Sequence, residues 1–562
     1  MSPLEPPTPP SEIPPAAEIP AQPLAGLNDV VPAHAATDAS EPSRKSRFGF
    51  LGLSHKHTAA SATLLLGAFA LLSRVIGLIR DKYIAYTFGA GPQTDAYNIA
   101  FLLPDLVNYL LIGGAASISF VTILSRYREQ GRDEEGEIAL SVILNTMALV
   151  LGSALLIAEF LAPLYIRIYS KGDHAQDALA VYMTRILLPG QLFFFAGGVL
   201  ASVALVRKQF GYQAISPLVY SAGIIFGGVI GARWLGIPSL AWGALAGAIC
   251  GPFLVNAVAA RRAGVRWLPV LDRHNEGLRD WIKMSLPMMF GVTIVFMDTQ
   301  ILQFFAKHET GDITRLMNAK KLFTAPMAII GQAAGAASLP FFASLFSANR
   351  MEEFRGAVGR SVTRIASVAL LLASLMVALA APICDLVLRG GHYTRADSLR
   401  TAMFLAIFSL SLALWSSQAI YIRAFYAAGQ TLPPMVAGTI ITVVSLPVYW
   451  GLHARFGAIG LAWASNLAIL THTATLAVLL HVRKLMPLAR VNRRELTKSL
   501  LAAVASVLVV IELLRLMPEH HGHLWNALLV ILGTSVWAGV CWIILRLTKA
   551  QLPTELKRRA RA

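Results

Sequence analysis

The stretch SRVIGLIRD, Ser73 to Asp81, closes the first apolar segment and puts two arginines and an aspartate where the chain is otherwise fit to cross a bilayer. An ionisable group at membrane depth costs roughly 2.5–3.5 kcal/mol on insertion scales, so it usually turns toward a partner or a watery cavity. At about 100° per residue, Arg74, Gly77 and Asp81 share one helical stripe, while Arg80 points about 120° away. A guanidinium and a carboxylate about two turns apart, with a glycine between them, make a polar stripe with room beside it. Arg80 and Asp81 sit at the segment end, where snorkelling to headgroups explains them well. Arg74 lies deeper and fits a cavity better.

Composition extends that reading to the whole chain. Of 562 residues, 56% are hydrophobic and 14% charged, with a mean hydropathy of +0.59. A soluble domain carries about 25% charged residues. Apolar runs of about twenty residues, the length that spans hydrocarbon as a helix, recur from residue 58 onward. The ten-residue alternation of a membrane β-barrel is missing. The expected fold class is therefore an all-α polytopic membrane protein.

The net charge of +17 belongs to that setting. Basic residues sit in short connections and at the two ends, without the aromatic-interleaved basic domain of a nucleic-acid binder. Cys250, Cys384 and Cys541 lie far apart in apolar segments, which argues against a disulfide framework or a zinc site.

Residues 1–57 read as a disordered, Pro-rich cytoplasmic tail. Their apolar content comes too late for a secretory signal. Spans are expected near 59–79, 95–124, 138–166, 179–206, 214–235, 239–260, 281–306, 317–346, 361–388, 399–426, 433–452, 457–481, 497–517 and 524–546, about fourteen in all. Pro104, Pro189, Pro287, Pro326 and Pro340 predict kinks or breaks. Loops after even-numbered spans are the basic ones, for example Arg126, Arg128 and Arg132, or Arg483, Lys484, Arg490, Arg493 and Arg494. The positive-inside rule then puts these loops and both termini in the cytoplasm.

The chain also repeats itself. GAASISFVTILS from Gly114 matches GAASLPFFASLFS from Gly335, and FGYQAISP at Phe210 resembles FYAAGQTLPP at Phe425. Matches at nearly constant separation suggest two pseudo-symmetric six-helix bundles with a site between them. The expected layout is an N-terminal bundle over 58–262, a cytoplasmic linker over 263–280 and a second bundle over 281–484. Two additional helices follow over 485–548, then a basic cytoplasmic tail over 549–562.

The run from Ser73 through FGAGPQTDAYNIAFLLPDLVNYLLIGGAAS, together with AKKLFTAP at Ala319, resembles the MurJ (MviN) family of the MOP exporter superfamily. The resemblance implies a bacterial inner-membrane flippase that moves an undecaprenyl-pyrophosphate-linked peptidoglycan precursor, lipid II, outward by alternating access. It also implies lipid II and membrane lipids as partners, with cell-wall synthesis proteins as further candidates, and no nucleic acid. Carried over by position, Arg74, Arg80 and Asp81 match family residues lining the central cavity. Asp95 matches the acid opening the second helix. Lys321 stands where the family has an arginine, keeping the charge but losing the bidentate fork. Asn108 and Tyr109 replace an arginine pair, and Gly113 replaces a glutamate. Asp298 in FMDTQ is a further candidate, expected to pair with Lys321 when no anion is bound.

A related exporter of another oligosaccharide-lipid or small molecule is the alternative, favoured by the missing arginine pair. A membrane-embedded lipid-phosphate transferase would need acids, bases or metal ligands gathered at one interface. His520, His521 and His523 form the sequence's one His cluster, in an expected outer loop. No P-loop or HExxH string occurs. No enzyme activity and no cofactor are therefore expected; an ion gradient, a substrate gradient or the membrane potential, about 2.3 kcal/mol per charge per 100 mV, would drive the cycle.

Overall fold

The computed structural model describes residues 59–109, 115–169, 171–207, 210–289, 294–307, 309–518 and 522–552. The expected N-terminal tail, Gly113, His520, His521 and the basic C-terminus fall outside the described residues. Among the described residues the secondary structure is helical, with one isolated β-bridge between Gly390 and Tyr393.

The chain runs through α1 (Ala59–Phe88), α2 (Pro92–Ala100), α3 (Leu102–Val107), α4 (Ala115–Glu129), α5 (Asp133–Tyr169), α6 (His174–Leu187), α7 (Gly190–Val206), α8 (Phe210–Leu235), α9 (Pro238–Ala248) and α10 (Asn256–Arg262). It continues through α11 (Glu276–Met289), α12 (Ile294–Ala306), α13 (Asp312–Met327), α14 (Ala333–Ser347), α15 (Met351–Ala378) and α16 (Ala380–Val387). The last five are α17 (Arg395–Ser409), α18 (Leu412–Ala427), α19 (Leu432–Val482), α20 (Arg493–Leu516) and α21 (His523–Leu547). Among the described residues, eight helical stretches are long and apolar enough to cross a membrane, or nine if the pair α17–α18, bent by 43°, is one span. Their outward faces are apolar, with Phe160 82% and Trp234 79% exposed. This is the inverse of a soluble surface and is what hydrocarbon as solvent requires.

Local chemistry explains the breaks. Pro92 and Pro238 open α2 and α9, where proline's missing N–H costs nothing. Asp173 and Asn492 cap α6 and α20 through their side chains. Pro252 lies in the π-helical segment joining α9 to α10, and Pro326 just precedes the one joining α13 to α14. Pro189 falls in the turn between α6 and α7, whereas Pro340 sits inside an unbroken α14. At Gly457 the backbone leaves the helical region (φ 57°, ψ −142°), so α19 is two helices meeting at a corner. A side chain there would strain the backbone and collide with Glu309. Helices α8 and α9 meet through Gly223, Gly227, Gly243 and Gly247, the small-residue contact that lets membrane helices approach closely.

Two sequence expectations change. Helix α1 continues nine residues past the expected end at 79, so Arg80 and Asp81 lie inside the helix rather than at its end. Helix α11 begins at Glu276, inside the expected linker, and packs on α4 and α5. The repeat splits. The Gly114 and Gly335 motifs fall on equivalent elements, since α4 and α14 each lead by a tight turn into a long helix opened by acids. The second match does not: Phe210 opens α8, whereas Phe425 lies near the end of α18.

Helices α1–α10 pack mainly among themselves, as do α12–α19, while α20 and α21 lie against α15 and α16. The main cross-contacts are α2 with α13 and α5 with α12. The hydrophobic core follows the same plan. At one end a single cluster unites both groups, from Ala85, Ala96 and Leu240 to Leu316, Phe408 and Leu461. Toward the other end there are two separate clusters, one around Phe120 and Trp281 and one around Phe354 and Phe425. Two groups joined at one end and cored separately at the other part toward that second end, the arrangement that a cleft between them requires.

Candidate functional site

Helix α1 presents two opposite faces. Leu72, Val75, Ile79 and Tyr86 are exposed and lie on one stripe. Arg74, Gly77 and Asp81 fall roughly opposite at about 100° per residue. Asp81 on that second stripe reaches Lys321 of α13, with Nζ to Oδ1 at 3.4 Å, so the stripe faces the other group of helices. Arg80 bends back onto Asp81, donating from Nε at 3.2 Å and Nη2 at 3.1 Å. One carboxylate thus holds two cations from two helices. Asp81 is 11% exposed and Arg80 22%, but Lys321 is 40% exposed and reaches into open space. One turn from Asp81, a side chain at Gly77 would meet nothing within 4 Å. Arg74, half-buried, has no hydrogen-bond or ion-pair partner among the described residues.

Lys321 lies nine residues into α13, roughly 14 Å from the helix start. The structure brings Arg80, Asp81 and Lys321 together and leaves Arg74 about two turns along the same cleft wall.

Asp95 is placed elsewhere. It is 2% exposed and acts across the join between the two groups, from α2 onto the start of α13. Its Oδ2 accepts from Gly311 N at 2.6 Å, and its Oδ1 accepts from Thr314 N at 2.9 Å and Thr314 Oγ1 at 2.7 Å. A carboxylate on the orphan amides of a helix start is doubly favoured, by the hydrogen bonds and by the helix dipole. More bonds gather at this end. Lys171 donates to Thr310, Lys307 to the Ile168 carbonyl, Lys82 to the Arg389 carbonyl, and the His392 amide to the Tyr86 carbonyl. Arg315 and Arg400 clamp Asp312, and Arg400 also holds Glu309, at 2.5 Å. A hydrogen bond shared with Asp312 holds the Glu309 carboxyl, in the loop, above the ordinary Glu range. This end is latched shut.

Asp298 does not pair with Lys321. Lys320, the adjacent residue, makes that ion pair. Neighbours on a helix differ by about 100°, so one lysine enters the α12–α19 packing and the other faces the cleft. Tyr449 also donates to Asp298, and Ser465 Oγ donates to Oδ2 at 3.1 Å. Asp298 is therefore sealed within the later helices, apart from the Asp81 cluster.

Asp105 and Gln191 escaped the sequence reading, next to the Asn108 and Tyr109 that it had singled out. Asp105 of α3 is exposed and lies within electrostatic reach of Lys321. Asn108 Nδ2 donates to Gln191 Oε1 at 3.0 Å. Tyr109 stacks on Phe296 of α12, centroids 4.4 Å apart and planes 8° apart. Asp105 carried a signal, an acid inside an apolar run, of the kind that flagged Asp298. Gln191 carried none, since an amide in a membrane helix is common glue.

A family model described as Lipid II flippase MurJ matches residues 84–531. Among curated proteins, the probable lipid II flippase MurJ of Bdellovibrio bacteriovorus is 26% identical over 437 residues, covering 75% of this chain and 81% of its own. A solved lipid II flippase MurJ in an inward closed conformation shares the fold with a TM-score of 0.71 at 21% identity, covering 86% of this chain and 99% of its own. An inward-facing multidrug resistance MATE family transporter of the MOP superfamily gives 0.62 at 15% identity, covering 75% and 98%.

Proposed function

This chain belongs to the MurJ family of lipid II flippases, and we propose that it carries undecaprenyl-pyrophosphate-linked peptidoglycan precursor from the inner to the outer leaflet of the bacterial inner membrane. One observation supports this above the rest: Asp81 holds Arg80 and Lys321 together over a cleft. An arriving diphosphate offers both cations more charge and more acceptor oxygens than the carboxylate does, and charge-assisted bonds to phosphate are the strong ones. Asp81 then acts as the resting counter-ion, keeping two cations satisfied when the cleft is empty. Arg74, farther along the same face, extends the positive track.

The helices are grouped here as about fourteen spans, two six-helix bundles over 58–262 and 281–484 with two further helices over 485–548. Both termini and the basic loops are cytoplasmic by the charge rule. The latched end is then the outer one, and the cleft opens inward, ready to load. Unlatching Asp95 from Gly311 and Thr314 would let the bundles rock and release the lipid outward. A cavity with excess positive charge returns under the membrane potential, each charge worth about 2.3 kcal/mol per 100 mV. The protein is a carrier; no bond in the lipid is made or broken.

Complementation tests this. In cells depleted of their own flippase, the wild-type chain restores growth, while Lys321→Ala and Arg80→Ala do not. A well-expressed wild-type chain that fails would return the assignment to an exporter of a different oligosaccharide-lipid.

A further inference from the structure

A cavity of about 190 Å³ lies wholly within α1–α10. Its chemistry differs from that of the Asp81 cluster. The lining includes Phe101, Asp105, Asn108, Gln191, Phe194 and Tyr220, and no cation. Gln191 is more than nine-tenths buried, yet only its Oε1 is engaged, by Asn108. Its Nε2, the Asn108 carbonyl and both Asp105 oxygens have no hydrogen-bond partner among the described residues. Phe194 meets Tyr220 edge to face at 5.2 Å, so rings stand on the wall beside these polar atoms. A lone carboxylate repels phosphate and carboxylate groups. It accepts well from neighbouring hydroxyls, and the two amides supply both donors and acceptors. Space for on the order of ten waters suits one sugar ring.

Position decides which group arrives. Tyr220 on the cavity wall is within electrostatic reach of both Arg80 and Asp105. Asp105 in turn is within reach of Lys321. A ligand with its diphosphate on Arg80 and Lys321 therefore presents its next group to the cavity. We propose that the cavity lined by Asp105, Asn108, Gln191 and Tyr220 is a sugar subsite, binding the hexosamine attached directly to the lipid diphosphate. The proposal rests on the lipid-diphosphate reading of the cleft. It adds that selectivity for a glycosylated over a bare carrier is set by the earlier helices alone.

The test is binding of purified full-length protein to two probes, undecaprenyl diphosphate and undecaprenyl diphosphate bearing one N-acetylhexosamine. Wild type is expected to prefer the glycosylated lipid about tenfold, the return from one or two hydrogen bonds to a charged or buried partner. Asp105→Ala and Gln191→Ala each erase that preference and leave affinity for the bare lipid within about twofold, which also shows that the variants are folded. Free N-acetylglucosamine does not compete at equal concentration, since it lacks the diphosphate anchor. A wild-type protein that binds both lipids equally overturns the subsite and leaves the diphosphate reading standing. Variants that weaken both lipids alike, or leave the preference intact, overturn it too. Binding of neither lipid overturns both.

Discussion

Two adjacent lysines on one helix make two ion pairs with opposite characters. Lys320 turns into the later helices, onto an Asp298 that Tyr449 and Ser465 also hold. Lys321 turns into the cleft, onto an Asp81 already shared with Arg80. The first pair is sealed, with Asp298 only 3% exposed. The second is longer and half open. A pair buried in low dielectric has no alternative partner, so breaking it strands a charge. A pair beside a wet cleft can exchange its carboxylate for a phosphate. The same residue types are thus sealed in one place and open in the other, and side-chain direction alone separates them.

The comparison breaks most readily on the sealed side. Lys320→Met should lower unfolding stability in detergent by about 3–5 kcal/mol, the cost of an uncompensated buried charge. Adding Asp298→Leu should recover most of it, because an apolar pair can replace a buried ion pair. A single variant costing under about 1 kcal/mol, the range of an exposed pair, would mean that Asp298 is not sealed.

Next comes the latch. Asp95→Ala leaves the Gly311 and Thr314 amides without their acceptor, at about 1–3 kcal/mol. A cysteine at Gly77, in a Cys250→Ala background, should then react with impermeant thiol reagents from both sides of the membrane. Labelling that stays one-sided would show that Asp95 does not hold the closed end.

On the cleft side the stability effects shrink and the binding effects grow. Lys321→Ala should change unfolding by less than about 1 kcal/mol, as exposed pairs do. Its affinity for undecaprenyl diphosphate should nevertheless fall about tenfold, measured by direct titration. A large loss of stability with unchanged affinity would reverse the roles assigned to the two lysines. The smallest expected effect is Lys321→Arg, which keeps the charge and adds a fork geometry suited to phosphate. It should retain complementation and bind the bare lipid at least as well as wild type.

Part of this was legible in residues alone. The stripe Arg74–Gly77–Asp81 follows from helical period, and the structure turns that face to the cleft because the opposite face is apolar and exposed. Asp95 and Lys321 were marked by the family resemblance, and Asp298 as an acid within an expected span. Their partners were not. Asp95 bonds to residues more than two hundred positions away, and no local pattern points to Gly311 or Thr314. The end of α1 was misplaced because charges were taken to mark a membrane surface, whereas Arg80 and Asp81 are accommodated inside by each other and by Lys321.

Composition and period by themselves determined a helical membrane chain and the face of α1 that shuns lipid, because hydrocarbon tolerates neither unpaired backbone nor unpaired charge. Tertiary structure alone decided which lysine meets which aspartate, that Asp95 ties α2 to the start of α13, and that one end is cored jointly and the other separately. Those outcomes depend on how distant helices are set against each other. A rotation of about 100°, one residue step on a helix, is enough to exchange a sealed charge for an open one.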